Sequence, residues 1–417
     1  MDSETETSAV PQGDVEGQWP VQRRAILDWL IQGTRDERFI DNIVTEMCTR
    51  LRTAGVPVAR ATLHFRTNHP EWLGARILWR TGMDEAKISF FGYGVEATPQ
   101  FQSSPANEIL SGTPEVRQNL EGLAETGHPY SLYVELSREG LTDYVAWPMD
   151  HTLGKRHVMT FASDRPGGFL EEHLTFLRDL TPALTLVTEI RLKNILARTF
   201  LRTYVGPHAS EQILAGATTR GSGVTVEAAI LICDLRGFTT ISDLWPRDEV
   251  IDLLNAYFDA MSEPIEAHGG EILKFMGDGL LAIFPLSNPR AGLDLLNAIT
   301  EARAAMTALN LENAERNRPL LDYGVGVHVG DVMYGNIGSR KRLDFTVIGP
   351  VVNIASRLET LTKETGRPVL LSAAFAEMVR DDVELESLGS FPLKGVGEPV
   401  HVFTLPGDVV TLQTSGH

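Results

Sequence analysis

Hydrophobic residues recur along this chain with two different periods, and the changes between them divide it into three blocks. In the first block, residues 19–170, a run with spacing i, i+3 and i+4 predicts an amphipathic helix. Its apolar residues are Phe39, Ile40, Ile43, Val44, Met47, Cys48 and Leu51. Segments at 58–66, 75–80, 144–149 and 157–162 predict strands, the last two forming a hairpin around Gly154, and the polar stretch 96–127 predicts loop. This order of elements predicts an α+β domain.

The second block, residues 171–223, is predicted to be a helical linker that ends in a break. Within its helical part, 171–214, Leu177, Leu180, Leu184 and Val187 keep a 3-4-3 spacing. That spacing suits the seam of a dimer, and it equally suits the inner face of a helix that closes its own domain. The glycine-rich stretch 216–223 predicts a flexible break before the third block.

The third block, residues 224–405, alternates strand and helix patterns. Strands are predicted at 228–233, 271–276, 280–284, 323–329 and 345–348, and helices at 246–267, 289–316 and 350–365. The strands 271–276 and 280–284 flank the sequence Gly277-Asp278-Gly279, which predicts a tight hairpin. The third block is therefore a second α+β domain, an α/β sandwich.

Length, charge and cysteine content narrow the class of protein. A chain of 417 residues is too long for one ordinary core, so two or three domains are expected. A formal net charge of −18 argues against nucleic acid or an anionic membrane as a partner. The two cysteines, Cys48 and Cys233, are far apart, which predicts no disulfide framework and a reducing compartment.

The two ends of the chain are predicted to be tails. Residues 1–18 contain acidic residues but no lysine or arginine, so they lack the basic start of a secretory signal and predict a disordered acidic tail. Residues 406–417 are taken as a second, short tail. Since no uncharged apolar run reaches ~18 residues, no membrane span is expected, and the cytoplasm is the expected location.

Candidate chemistry is concentrated in the third block. Asp234 follows an apolar run, and Asp278 lies between two glycines. Carboxylates are hard oxygen ligands for Mg²⁺ or Mn²⁺, and a metal pair supports in-line attack on a nucleotide phosphate. Asn353 and Arg357 are four residues apart on a predicted helix, so they share one face and suit a sugar oxygen and a phosphoryl group. Each residue alone is more often a cap or a surface contact, but their occurrence in one block favours phosphate chemistry.

Longer motifs surround these residues. They are DLRGFT from Asp234, KFMGDGLLAIF from Lys274, VGDVMYGNIG from Val329, FTVIGPVVNIASRLE from Phe345 and LKGVG from Leu393. With these motifs in this order, the third block resembles the catalytic domain of the class III nucleotidyl cyclases. The first block, with its helix, strands, loop, hairpin and closing helix, resembles a GAF-type sensory domain.

The cyclase resemblance implies a ferredoxin-like βαββαβ core that works as a homodimer with shared active sites. It implies two Mg²⁺ ions, for which Mn²⁺ substitutes, and ATP as the bound nucleotide. The implied roles are metal binding by Asp234, Asp278 and the Leu235 carbonyl, purine binding by Lys274 and Thr346, substrate binding by Phe238, ribose orientation by Asn353, stabilisation of the α-phosphate by Arg357, and binding of the terminal phosphates by Lys394. Arg340 and Lys341 are alternatives for a further contact.

The choice of purine follows from hydrogen-bond chemistry. Lys274 can only donate, which suits N1 of adenine, and the Thr346 hydroxyl can accept from N6. Guanine presents a donor at N1, so an adenylate cyclase is favoured over a guanylate cyclase. Thr346 stands where animal-type enzymes commonly have Asp. This replacement matches the subclass called IIIb. The alternatives are a guanylate cyclase and a catalytically silent nucleotide-binding scaffold. For the first block, which is expected to regulate the enzyme, two alternatives stay open: an apolar pocket that binds a small-molecule effector, or a domain that only dimerises.

Overall fold

The structure is a computed structural model that describes residues 19–67, 69–123 and 128–407. The predicted tail 1–18 and nearly all of the predicted tail 406–417 lie outside the described residues. The chain forms two compact units whose boundary falls between Phe200 and Leu201, within the region predicted as a linker.

The N-terminal unit is built on a six-stranded antiparallel sheet of order β3-β2-β1-β6-β5-β4. Its strands are β1 (Val58–Arg66), β2 (Gly74–Arg80), β3 (Lys87–Phe91), β4 (Val116–Asn119), β5 (Asp143–Asp150) and β6 (Arg156–Ser163). Its helices are α1 (Trp19–Asp28), α2 (Ile40–Thr53), α3 (Pro99–Gln102), α4 (Pro105–Leu110), α5 (Ser131–Arg138) and α6 (Glu171–Val205). The predicted α+β class is confirmed, and so are helix α2 and the hairpin of β5 and β6.

Strand β1 has two buried faces with different chemistry. Ala61, Leu63 and Phe65 belong to the core that α2 and α6 complete. The alternate residues, Arg60, Thr62 and His64, point to the other side of the sheet because side chains alternate along a strand. There they line a cavity below α3, α4 and α5.

The prediction of loop for residues 96–127 is wrong in part, because α3, α4 and β4 lie within it. Each of the two short helices begins with a hydroxyl cap followed by proline: the Oγ1 of Thr98 accepts from the N–H of Phe101 at 3.4 Å, and the Oγ of Ser104 accepts from that of Asn107 at 3.1 Å. Helices of four and six residues are too short to produce an apolar period, so only their caps could have revealed them.

The two interpretations of the leucine spacing in α6 are decided by burial. Leu177, Leu180, Leu184 and Val187 are at most 7% exposed and pack in the core of the N-terminal unit. The closing-helix interpretation is therefore confirmed for these residues. A seam between copies at these positions is excluded, because the sheet of the same chain already covers them.

The C-terminal unit contains an eight-stranded sheet of order β13-β14-β12-β10-β7-β9-β8, with β11 also paired to β10. Its strands are β7 (Gly223–Arg236), β8 (Glu271–Met276), β9 (Gly279–Pro285), β10 (Asp322–Gly338), β11 (Leu343–Ile348), β12 (Val369–Ser372), β13 (Glu386–Phe391) and β14 (Val400–Thr404). Its helices are α7 (Pro207–Leu214), α8 (Phe238–Leu244), α9 (Arg247–Ala267), α10 (Ala291–Glu315), α11 (Pro350–Thr365) and α12 (Ala373–Val379).

The elements β7, α9, β8, β9, α10 and β10 form a βαββαβ unit whose four strands are antiparallel in the order β10-β7-β9-β8. This confirms the predicted ferredoxin-like core. Leu231 and Cys233 of β7 pack with α9 and α10, while Ile230 and Ile232 pack with β11 and α11 on the other face. The central strand therefore separates two helical layers.

Strand β10 is much longer than predicted and runs through the glycine-rich stretch that follows Val329. Glycine normally weakens a strand, but here it allows close approach of other backbone. A Cβ atom on Gly326 would lie 2.2 Å from the Ala355 carbonyl oxygen, and one on Gly335 would lie 2.2 Å from that of Ser222. The glycines therefore allow α11 and the segment before β7 to pack directly on β10.

Asn336 of β10 holds the segment 216–223, which the sequence predicted to be a flexible break. Its buried side-chain amide donates to the Ala217 carbonyl at 2.6 Å and to the Ser222 hydroxyl at 3.2 Å. The backbone N–H of Gly221 also donates to the Asn336 carbonyl, at 2.9 Å. The segment is thus tied to the sheet, by a residue that is distant in the sequence.

Replacing Asn336 with alanine is expected to destabilise the C-terminal unit by about 1–3 kcal/mol, because the Ala217 carbonyl then loses its donor. Urea unfolding monitored by circular dichroism measures the change. Asn255→Ala is the matched control, since Asn255 is exposed on α9 and should change stability little. Equal stability of the two variants would contradict the anchoring role of Asn336.

Among the described helices, none combines the length and apolar character that crossing a membrane requires.

Candidate active site

The two predicted metal-binding carboxylates lie at the same end of the sheet. Asp234 is near the end of β7 and is paired in register with Gly279, the first residue of β9. Asp278 immediately precedes Gly279, and the Leu235 N–H donates to the Asp278 carbonyl oxygen at 3.4 Å. A Cβ atom on residue 279 would lie 2.9 Å from Oδ1 of Asp234, so glycine leaves room for that carboxylate.

The electrostatics of this pair suit a cation. Burial raises the pKa of Asp234, the negative charge of Asp278 raises it further, and Lys363 opposes both effects. Two neighbouring carboxylates with only one nearby lysine form an electronegative donor set, to which hard cations bind. In the described ranges, no third His, Cys, Asp or Glu groups with them as a ligand. Such a sparse protein donor set suits Mg²⁺, which keeps several ligands from water or substrate phosphate.

Phe238 begins α8 directly after the strand that carries Asp234. The sharp turn between the two elements depends on Gly237, whose φ of 69° lies in the left-handed region that favours glycine. Phe238 is half-buried and packs against the core formed by α9 and α10. It is therefore fixed beside the carboxylate end of the sheet.

The two predicted purine-binding residues lie on strands that an ion pair joins. Lys274 of β8 reaches Asp344 of β11, with its Nζ 2.8 Å from Oδ2. Asp344 precedes Thr346 by two residues, so both lie on one face of β11. The hydrogen bond from Lys274 is the main cause that lowers the pKa of Asp344. The structure therefore brings Lys274 to the strand of Thr346.

Sequence reasoning missed Asp344. Its spacing of two residues from Thr346 places both side chains on one face, but the contact to Lys274 joins strands about 70 positions apart and became visible only in the fold. With ATP as the nucleotide that the motif resemblance implies, we expect Asp344→Asn to lower kcat/KM by up to about fivefold, the range for an exposed ion pair, because Lys274 is then held less firmly. Steady-state kinetics measures this, with Asp382→Asn at another exposed site as control. An unchanged kcat/KM would exclude a role for Asp344.

Helix α11 presents the predicted ribose and phosphate contacts to solvent. Asn353 and Arg357 are exposed, while Ala355 and Leu358 on the opposite side are fully buried against the sheet. Lys394 is exposed on the connection between β13 and β14, beside buried Leu393. Arg340 and Lys341 are also exposed, in the turn between β10 and β11. The four basic side chains, those of Arg357, Lys394, Arg340 and Lys341, are therefore all available to a ligand.

The predicted residues fall into two sets within one chain. Asp234, Leu235, Phe238 and Asp278 form the first set; Lys274, Thr346, Asn353, Arg357 and Lys394 form the second. Throughout the described ranges, no hydrogen bond or ion pair joins Asp234 or Asp278 to a residue of the second set. The α11 side chains whose charges interact with that of Asp234 are instead those of Lys363 and Glu359.

Glu271 attaches α7 to the strand that carries Lys274. Its carboxylate accepts from the Tyr334 hydroxyl at 2.8 Å and from the backbone N–H groups of His208 and Ala209 at the start of α7. Burial nevertheless raises the pKa of Glu271. Helix α7 is therefore fixed to β8 three residues before Lys274.

Comparison with known proteins agrees with the cyclase resemblance of the third block. Residues 223–407 match the family model described as the adenylate and guanylate cyclase catalytic domain. Adenylate cyclase 1 of Rhizobium meliloti is 31% identical over 191 residues, which cover 45% of this chain and 29% of that protein. The adenylate cyclase of Anabaena cylindrica is 33% identical over 202 residues, 48% of this chain and 38% of that protein. The chain thus matches about a third of the length of these two relatives.

Among solved structures, the adenylyl cyclase CyaB from P. aeruginosa is similar to 47% of this chain over 100% of its own, with 26% identity and a TM-score of 0.41. The family match covers residues 223–407, the block in which the motifs resemble the catalytic domain of the class III nucleotidyl cyclases. The family match begins at residue 223, so the GAF-type character of residues 19–170 stays a prediction.

Proposed function

We propose that this protein is an adenylate cyclase that converts ATP into 3′,5′-cyclic AMP and pyrophosphate. The observation that carries the proposal is the position of Lys274, whose Nζ lies 2.8 Å from Asp344 on the strand of Thr346. A donor from β8 and a hydroxyl from β11 can together meet N1 and N6 of adenine. The relatives named adenylate cyclase support the same assignment.

The residues of the chain supply binding, orientation and charge. Asp234, Asp278 and the Leu235 carbonyl would hold two Mg²⁺ ions, or Mn²⁺ in their place. When bound, these ions lower the pKa of the ribose 3′-hydroxyl and neutralise the triphosphate. Asn353 orients the ribose, and Lys394 holds the terminal phosphates. Phe238 completes the substrate pocket.

In the reaction, the 3′-oxygen attacks the α-phosphorus and loses its proton to water. The bond from the α-phosphorus to the bridging oxygen breaks, and pyrophosphate leaves with the electron pair. Arg357 stabilises the charge that develops on the α-phosphate oxygens, where a planar guanidinium can donate two parallel hydrogen bonds. Holding ribose and phosphate in line supplies much of the rate, because it removes the entropic cost of bringing them together.

The active form is proposed to be a homodimer with two shared sites. Among the described residues, no hydrogen bond or ion pair joins Asp234 or Asp278 to the second set, which supports this because the second chain can supply that set. Large apolar residues are also exposed on the strands near the site: Phe275, Met276, Met333, Leu343 and Ile348, each at least 36% exposed. Contact with a second copy would remove this apolar surface from water.

The purine preference provides the test. Purified full-length protein is incubated with Mn²⁺ and equal concentrations of ATP or GTP, and the cyclic products are separated by chromatography. Cyclic AMP is expected, with GTP used roughly 5- to 150-fold less well, because Lys274 facing the N1 donor of guanine leaves a polar group unpaired. A preference for GTP would indicate a guanylate cyclase, and no product from either would indicate a silent scaffold.

A further inference from the structure

The N-terminal unit contains a cavity of about 360 Å³ on the face of its sheet opposite α2 and α6. Short helices α3 and α4 and helix α5 border it, and Leu73, Phe91, Phe101 and Leu110 provide apolar walls. The floor is polar, because Arg60, Thr62 and His64 of β1 point into it. A concave, mostly apolar space with a few convergent polar groups is the usual form of a small-molecule site.

Arg60 is buried at this floor without an ion-pair partner among the described residues, and Glu139, whose charge acts on it, is itself paired with Arg80 at 2.9 Å. Arg60 is 6% exposed, its Nε has no hydrogen-bond partner, and within the described ranges it forms no ion pair. Burial lowers the pKa of Arg60 to about 10, so the guanidinium remains charged at neutral pH. A buried charge normally has a partner, because an uncompensated one costs several kcal/mol. An unpaired arginine at a cavity wall therefore indicates that the partner comes from a ligand.

A second cation, the guanidinium of Arg76, lies near Arg60. Arg76 of β2 is paired in register with His64, and its guanidinium lies over the ring of Phe91, 5.8 Å from the ring centre. The Nε of Arg76 is also buried without a hydrogen-bond partner. The guanidinium groups of Arg60 and Arg76 therefore both face the cavity from neighbouring strands.

The remaining titratable groups leave the cavity positive. Burial, with Arg76 and Arg60, lowers the pKa of His64 to about 3, so His64 is neutral. Of the two lining carboxylates, Glu96 is paired with Arg66 at 2.7 Å, and Glu135 is exposed on α5. Neither forms an ion pair with Arg60 or Arg76 in the described part of the chain.

We propose that this cavity binds a small organic anion. Its carboxylate or phosphate group pairs with Arg60 and Arg76, and its apolar portion packs against Phe91, Phe101 and Leu110. Guanidinium groups bind both types of head group through two parallel hydrogen bonds, so the shared chemistry is an oxyanion on an apolar body. The proposal concerns binding alone and does not depend on the cyclase activity proposed above.

The test is thermal unfolding and isothermal calorimetry of the full-length protein with benzoate, with phenyl phosphate and with neutral benzyl alcohol. At least one anion is expected to bind saturably and raise Tm, and benzyl alcohol is expected to bind at least about tenfold more weakly, because it lacks the charge-assisted hydrogen bonds. The stronger anion identifies the head group. No saturable binding of either anion, or equal binding of the alcohol, would overturn the proposal.

Variants separate a ligand contact from a structural role. Arg60→Met removes the unpaired charge and keeps much of the volume, so the ligand-free protein is expected to be at least as stable as wild type, with anion affinity lowered about tenfold or more. Arg76→Gln tests the second contact independently. Arg50→Gln is the control, because Arg50 is exposed on α2, on the other face of the sheet, and is paired with Glu46 at 2.7 Å. Unchanged anion affinity in both cavity variants, or an equal loss in Arg50→Gln, would contradict the proposed site.

Discussion

Replacing Asp234 with alanine is expected to abolish cyclic AMP formation, with a loss of at least about a thousandfold, because the charge stabilisation that bound metals supply is worth several kcal/mol. The fold should survive. Asp234 is half-buried beside Asp278, and the two like charges repel each other, so removing one carboxylate relieves an unfavourable interaction in the metal-free domain.

The Asp234 measurement has two parts. Cyclic AMP production is assayed with Mg²⁺ and with saturating Mn²⁺, and Tm is recorded without metal. Asp252→Ala, an exposed carboxylate on α9, is the matched control and should leave both unchanged. Substantial activity of Asp234→Ala with Mn²⁺ would contradict its role as a metal ligand. A large fall in Tm without metal would mean that Asp234 is needed for the fold.

Arg357→Ala is expected to lower kcat by about 100- to 1,000-fold with a much smaller change in KM, because its hydrogen bonds strengthen as charge develops on the α-phosphate. Arg357 is exposed on α11 and has no hydrogen-bond partner among the described residues, so its removal should leave stability unchanged. Steady-state kinetics and thermal unfolding check the two statements, with Arg357→Lys showing whether a single positive charge is enough.

The same variant tests whether the sites are shared. A heterodimer of one Asp234→Ala chain and one Arg357→Ala chain, purified through two different tags, has one site with both defects and one intact site. It should recover about half of wild-type activity, because a two-fold dimer has two equivalent sites. Each parent homodimer should stay inactive. Failure of the purified heterodimer to recover activity would contradict a site formed between chains.

Much of the catalytic fold was predictable because its signals are local and strong. The apolar period of α9, the glycines around Asp278 and the run before Asp234 each specify one element, and the resemblance to the class III cyclases implied the ferredoxin-like core. The second half of β10 was not predictable, because Gly335 resembles a strand breaker until Ser222 is seen packed against it. In the N-terminal unit, β3, β4 and α5 gave no clear hydrophobic period because, like α3 and α4, they are short.

The candidate site residues follow from local motifs, whereas the contacts that each makes inside one chain do not. The order of the motifs indicated Asp234, Lys274 and Arg357 as site residues, but it did not show which of them contact one another within one chain. Asp344 and Asn336 were missed because each acts through a contact distant in sequence, one with Lys274 and the other with Ala217. The unpaired charge of Arg60 was equally hidden, since an arginine in an alternating strand normally indicates an exposed face.

The alternation along β1 has an evolutionary consequence. Ala61, Leu63 and Phe65 are constrained by the core beneath α2 and α6, whereas Arg60, Thr62 and His64 contact only the cavity side. Selection can therefore change the second group without disturbing the first, because neighbouring positions of a strand belong to different layers. Descendants of this protein can acquire a new chemical input through substitutions at alternate positions of a single strand, while the sheet that supports it stays the same.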